Sequence, residues 1–241
     1  MKRVTLFSYA LLYPKVASHF LAGAVAVCML AFLPGTAKAA CKTPYKPGVD
    51  WSGCFKERLM LNGRALQKTV FNKAFLSGTS FSRSDLTGAN FMEAELMRVS
   101  FTGSVLVKAN FERAYGSRIS FKQADMREAY LHKAELQRSN FNGADLSAAN
   151  MLKGDFFRSS FKAANLSNVN LRRSNLSRSN FAGSILKGTL LRESYMYKAR
   201  FEGVDMRQTI GLSQDQVDKI CGDDKTQLPA GLKKPKNWKC E

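Results

Sequence analysis

Proline does not occur between Pro47 and Pro229 of this 241-residue chain. A proline-free stretch of that length suits a backbone whose amides are engaged in ladders. Histidine is nearly missing too: there are two, and only His132 lies beyond the first forty residues. One histidine excludes a two-histidine metal site, and His132, expected to face outward, suggests no buried Ser-His-Asp arrangement. Acids are scarce, 19 against 37 lysines and arginines, for a formal net charge of +18. Long apolar runs are scarce as well. The one present, Phe20 to Leu33, is fourteen residues long, short of the about 20 that a membrane-spanning helix needs.

That run belongs to an export signal. Lys2, Arg3 and Lys15 precede it, Pro34-Gly35 break it, and Ala37-Lys38-Ala39 supplies small residues for cleavage after Ala39. Lys38 stands where a lipid-modified start at Cys41 would want an aliphatic residue. Residues 1–39 are therefore expected to be a signal peptide, and the protein to be exported to the bacterial periplasm or secreted. Cleavage removes four bases and no acid, so the net charge falls from +18 to +14 and stays strongly basic. Four cysteines remain, Cys41, Cys54, Cys221 and Cys240. An even count in an exported chain implies disulfides, with three connectivities open.

What the sequence has in abundance is a period of five. Of the thirty positions taken by fives from Leu61 to Met206, twenty-nine are Leu, Phe or Met, and the exception is Gly116. Two residues before these centres, 27 of the 30 are Ala, Ser, Thr, Val or Gly. Neither a helix nor an ordinary strand has that period. A second period sets the geometry: Phe81, Phe101, Phe121, Phe141, Phe161, Phe181 and Phe201 recur every twenty residues. Four pentads per turn stack such residues in columns about 4.8 Å apart. Large and small inward side chains then alternate to fill a narrow interior.

The triplets Ala89-Asn90-Phe91, Ala144-Asp145-Leu146 and Ala164-Asn165-Leu166 match the consensus A(D/N)LXX, and the chain resembles the pentapeptide-repeat proteins over roughly residues 57–210. The resemblance implies an all-β fold, a right-handed quadrilateral β-helix of about seven and a half coils. Some members of that family mimic DNA and modulate a topoisomerase with an acidic surface in the cytoplasm. A basic, exported chain does not fit that role.

The remaining segments are expected to close the coil's exposed edges. Residues 40–56 are assigned to an N-terminal lid, 57–210 to the solenoid and 211–241 to a C-terminal cap. Ser213 to Gln216 reads as a capping box, which predicts a short helix over 214–221 ending at Gly222. Bonded cysteines need Cα atoms within about 7 Å, and the two lids stand on the order of 35 Å apart by the coil spacing. The pairs Cys41–Cys54 and Cys221–Cys240 follow, and a tetrathiolate metal site does not.

The sequence calls for no catalytic residue, metal, cofactor or small-molecule substrate. The Asp and Glu that precede many centres read as a solvated face, and Gly116 as a small void in the core. One outward feature stands out. Arg98, Arg118, Arg138, Arg158, Arg178 and Lys198 share the twenty-residue period, and Arg113, Lys133, Lys153 and Arg173 form a second column one pentad away. From 156 to 192 there are seven bases and no acid, so the sequence offers this half no acid to offset them. Neighbouring like charges at ~4.8 Å cost roughly 0.9 kcal/mol in water. The expected function is a non-catalytic exported scaffold whose basic wall meets an anionic envelope polymer, a lipid headgroup or an acidic protein. Nucleic acid is the weaker alternative, because outward aromatics form no continuous platform for bases. A homodimer through the lids is a further expectation.

Overall fold

The computed structural model describes residues 41–236 and Trp238. Every described residue belongs to one compact unit, 38–241. The expected signal peptide lies outside the described residues.

Each pentad follows one path, which Phe71-Asn72-Lys73-Ala74-Phe75 illustrates. Phe71 and Ala74 are inward and fully buried. Asn72 and Lys73 turn an outer corner, and Phe75 lies half-buried on the wall. The amide of Phe71 donates to the Asn90 carbonyl at 2.6 Å and that of Lys73 to Met92 at 2.9 Å, both one coil on. Ala74 closes the turn on the Phe71 carbonyl at 3.0 Å, and Phe75 reaches back to Cys54 at 2.9 Å. Where Asp or Asn precedes the centre, the fifth amide of the pentad goes to its side chain. Asn90 Oδ1 accepts from the Met92 N–H at 3.0 Å, Asp145 Oδ1 from Ser147 at 2.9 Å and Asn175 Oδ1 from Ser177 at 3.1 Å. The Asp or Asn before the centre is thus bent back over its own turn and does structural work there, where the sequence suggested only a solvated face. With four amides of the typical pentad in backbone bonds, a proline at most positions of the pattern would cost a hydrogen bond.

Parallel bridges join wall residues to those twenty positions later, from Asp50↔Val70 to Leu190↔Ile210, with a break at Ile185. On one wall they widen into two short strands, β1 (Tyr115–Ser117) and β2 (Glu135–Gln137), with Gly116 opposite Leu136. Inside, the seven phenylalanines from Phe81 to Phe201 stack face to face, with centroids 4.6–5.3 Å apart and planes within 2–8°. Phe71, Phe91 and Phe111 make a second stack at 4.8 Å, set edge-on to the first.

Two irregular positions refine this picture. The void expected at Gly116 is not there: a Cβ would stand 2.8 Å from the Leu96 carbonyl carbon. The coils close over the missing side chain. At Gly154 a Cβ would fall 2.5 Å from Phe156 Cε2, so that glycine makes room for a phenyl ring in a column otherwise mostly leucine.

The ladder begins at Gly48, whose amide donates to Gln67 at 2.8 Å, so residues 48–56 of the assigned lid share the coil's hydrogen bonding. Ahead of it the chain is pinned by the Cys41–Cys54 disulfide, Cα atoms 5.5 Å apart, and by the Trp51 Nε1–H, which donates to the Thr43 carbonyl at 3.1 Å. At the other end, α1 (Gln214–Val217) starts with the capping box on Ser213 and Gln216. It is shorter than the expected 214–221. Asp218 is its C-cap, and Gly222 lies against the Trp238 ring, its amide donating to the Trp238 carbonyl at 2.9 Å. After the helix the chain rejoins the ladder with Cys221 opposite Arg200 and Gln227 opposite Asp205. Cys221 is buried and disulfide-bonded; its expected partner, Cys240, lies outside the described residues.

Candidate anion-binding wall

From Gly63 to Gly203, the residue two past each centre is the third of a four-residue turn and has positive φ, as does Arg58. Twenty-two non-glycine residues hold φ between 52° and 59° there, the left-handed region in which glycine alone is unstrained. Every member of both predicted basic columns occupies this position. Four corners result, and their composition differs sharply. One carries Arg58, Gly78, Arg98, Arg118, Arg138, Arg158, Arg178 and Lys198; the next carries Gly63, Arg83, Gly103, Gln123, Gly143, Ala163, Gly183 and Gly203.

The fold brings Arg98, Arg118, Arg138, Arg158, Arg178 and Lys198 into one exposed row. Among the described residues none of the six makes an ion pair. Arg58 extends the row by two coils beyond the start read from the sequence, and the twenty-residue period was its signal. A groove of about 700 Å³ runs along this corner, lined by Arg58, Arg98, Arg118 and Arg138, with Glu57 and Glu95 its carboxylates and Phe157 at its far end. Beyond it the Arg158 guanidinium lies 5.1 Å from the Phe157 ring centroid and the Lys198 ammonium 6.0 Å from that of Tyr197.

The second column is different. Glu93 lies 3.9 Å from Arg113 and 3.6 Å from Lys73, and Glu193 meets Arg173 at 2.6 Å. The hydrogen bond from Arg173 holds the Glu193 carboxyl below its ordinary range. An acid therefore does offset the basic second half, and it stands one residue past the acid-free stretch. Lys133 and Lys153 remain without an ion pair among the described residues. On a neighbouring wall, Arg127 and Arg207 fork onto Asp125 and Asp205, 2.7 Å at their closest, and hydrogen bonding to these guanidiniums holds both carboxyls below their usual value. Asp85 is also lowered: burial pushes it up, but hydrogen bonds from Thr87 and Gln67 outweigh it. These acids are occupied locally, and the carboxylates that share the arginine groove are Glu57 and Glu95, neither of them in an ion pair with the row among the described residues.

Lys56 was missed altogether. It takes the place of a centre in the first coil, lies 4.1 Å from the Trp51 ring centroid and donates to the Cys41 carbonyl at 2.6 Å. Burial lowers its pKa. Among the described residues no cluster of His, Cys, Asp or Glu could hold a metal ion, and no helix is long and apolar enough to cross a membrane.

A coil of four walls, sealed inside by stacked rings and turned at corners of positive φ, defines a protein class that presents surfaces and encloses no chamber. The pentapeptide repeats family model matches in overlapping stretches that together span residues 65–210. The chain belongs to the pentapeptide-repeat family, whose members fold as right-handed quadrilateral β-helices and are typically structural or binding proteins. Among solved structures it is similar to full-length QnrB1, a plasmid-mediated fluoroquinolone resistance protein, at TM-score 0.63 and 17% identity over 75% of this chain and 91% of that one. HetL of Nostoc sp. strain PCC 7120, a pentapeptide repeat protein involved in heterocyst differentiation regulation, matches at 20% identity over 81% and 89% of the two chains, with TM-score 0.49. The likeness to QnrB1 speaks to the fold alone. No curated protein sequence matches.

Proposed function

We propose that the protein is a non-catalytic exported scaffold, about seven and a half coils closed by a short helix, that docks through its arginine row onto an anionic envelope component or an acidic protein. One observation carries this reading. The row is unpaired, and it stands at backbone positions where each non-glycine residue costs about 1 kcal/mol. The next corner fills the same turn mostly with glycine. A merely solvated surface gives no reason to hold strained, mutually repelling arginines along one edge and not along its neighbour. Export is supported by the Cys41–Cys54 disulfide, a bond that persists in oxidising compartments.

The test compares protein recovered from an exporting host with a variant carrying Arg138→Glu, Arg158→Glu and Arg178→Glu. Binding of each to anionic liposomes, lipopolysaccharide and heparin is measured at low and high salt. The wild type is expected to bind, salt to reverse it, and the variant to fail. Equal binding by both, or by neither, sinks the proposal.

A further inference from the structure

The coil's two ends are finished differently. At the C-terminal end Cys221 and Gln227 occupy the last ladder positions, and Trp238 is buried there. At the N-terminal end, among the described residues, the amides of Phe55, Met60 and Ala65 have no partner. Phe55 and Met60 are also the most exposed large hydrophobics of the described residues, at 75% and 70%. Phe55 is held in place by stacking on Phe75, centroids 4.4 Å apart and planes within 6°. An open edge bearing exposed apolar side chains calls for a partner.

The shape of the edge selects that partner. Phe55, Met60 and Ala65 lie on three successive walls separated by turns. An extended peptide could pair with only one wall; another coil of the same cross-section matches several. Phe55 and Met60 flank a corner whose two exposed residues are Glu57 and Arg58, neither of them ion-paired. A two-fold axis through that corner exchanges its two sides. It sets Phe55 of one copy against Met60 of the other, runs their strands antiparallel, and places each Glu57 against the partner copy's Arg58. We infer that the protein forms a closed head-to-head dimer through this N-terminal edge. The interface is isologous, so each contact occurs twice. Because the opposite end is covered, assembly stops at two copies and no filament grows. The same axis joins the two arginine corners end to end, so the grooves form one continuous track.

The mass of the exported protein, disulfides intact, is measured by light scattering and sedimentation equilibrium at micromolar concentrations. Twice the chain mass is expected. Met60→Glu should give a monomer with unchanged circular dichroism, since the side chain is exposed. Glu57→Arg and Arg58→Glu should each weaken association about tenfold or more, and the two together should restore it, because the swap recreates the pairing. A wild-type monomer, a Met60→Glu dimer, or a double swap no better than either single change would overturn the inference. Met60 lies off the arginine row, so failure here and failure of the binding test are separable.

Discussion

The corner from Arg58 to Lys198 and the corner from Gly63 to Gly203 are made by the same turn with the same φ, yet one is lined with cations and the other is nearly bare. The backbone cannot explain the contrast, because it favours glycine equally at both. What differs is the use of the surface. A repeat protein can decorate its corners independently, since inward residues hold the fold and the corner residue touches little. Under the proposed docking role, the charged corner is the working surface and the bare corner is not.

The largest expected effect on this comparison is the charge reversal already described, which should remove binding while leaving the stacked interior intact. Next is Gly116→Leu, which restores the repeat consensus beside Arg118. It should destabilise the fold by about 1–3 kcal/mol, because the added Cβ meets the Leu96 backbone at 2.8 Å. Chemical denaturation reads this as a lower midpoint at constant m-value. Arg118→Gly copies the bare corner onto the charged one. It should raise stability by about 0.5–1 kcal/mol and weaken heparin binding in the same preparation; lower stability would undo the strain argument. Glu193→Gln should change stability by less than about 0.5 kcal/mol while freeing Arg173, seen as a modest gain in low-salt binding. The smallest effect is acid sensitivity. The Asp125 and Asp205 carboxyls sit below their ordinary value of 3.8, so their contribution is full above that value and is lost as pH falls through the depressed one. The thermal midpoint should hold steady near neutrality and drop only in strong acid, less so in Arg127→Gln.

The coil was legible because each turn repeats the instructions of the last: a large centre, a small partner and an Asp or Asn to hold the spare amide. The row of cations was legible for the same reason. What escaped lies where the repetition stops. Lys56 replaces a centre and so looked like the end of the pattern, although it covers the Trp51 ring and holds the Cys41 carbonyl. Gly116 looked like a hole because a missing side chain suggests space, whereas the neighbouring backbone moved in. The return of Cys221 and Gln227 to the ladder is offset by one and two residues from the period, which hides it from any search by twenties. The sign of φ at the corners had a trace in the sequence: Val, Ile and Thr never occur two past a centre, as a left-handed turn requires. Glu193 escaped by one position, because the acid that matters is one coil away in space and twenty residues along the chain.

The arginine row has a further property as a line of charge. From Arg98 to Lys198 it places one cation per coil, about 4.8 Å apart, which is closer than the about 7 Å at which two charges in water interact with thermal energy. A line that dense does not stand bare in solution; it gathers small anions from the buffer and holds them loosely. A polyanion arriving at the wall would displace that sheath, and much of its affinity would be the entropy of the ions set free.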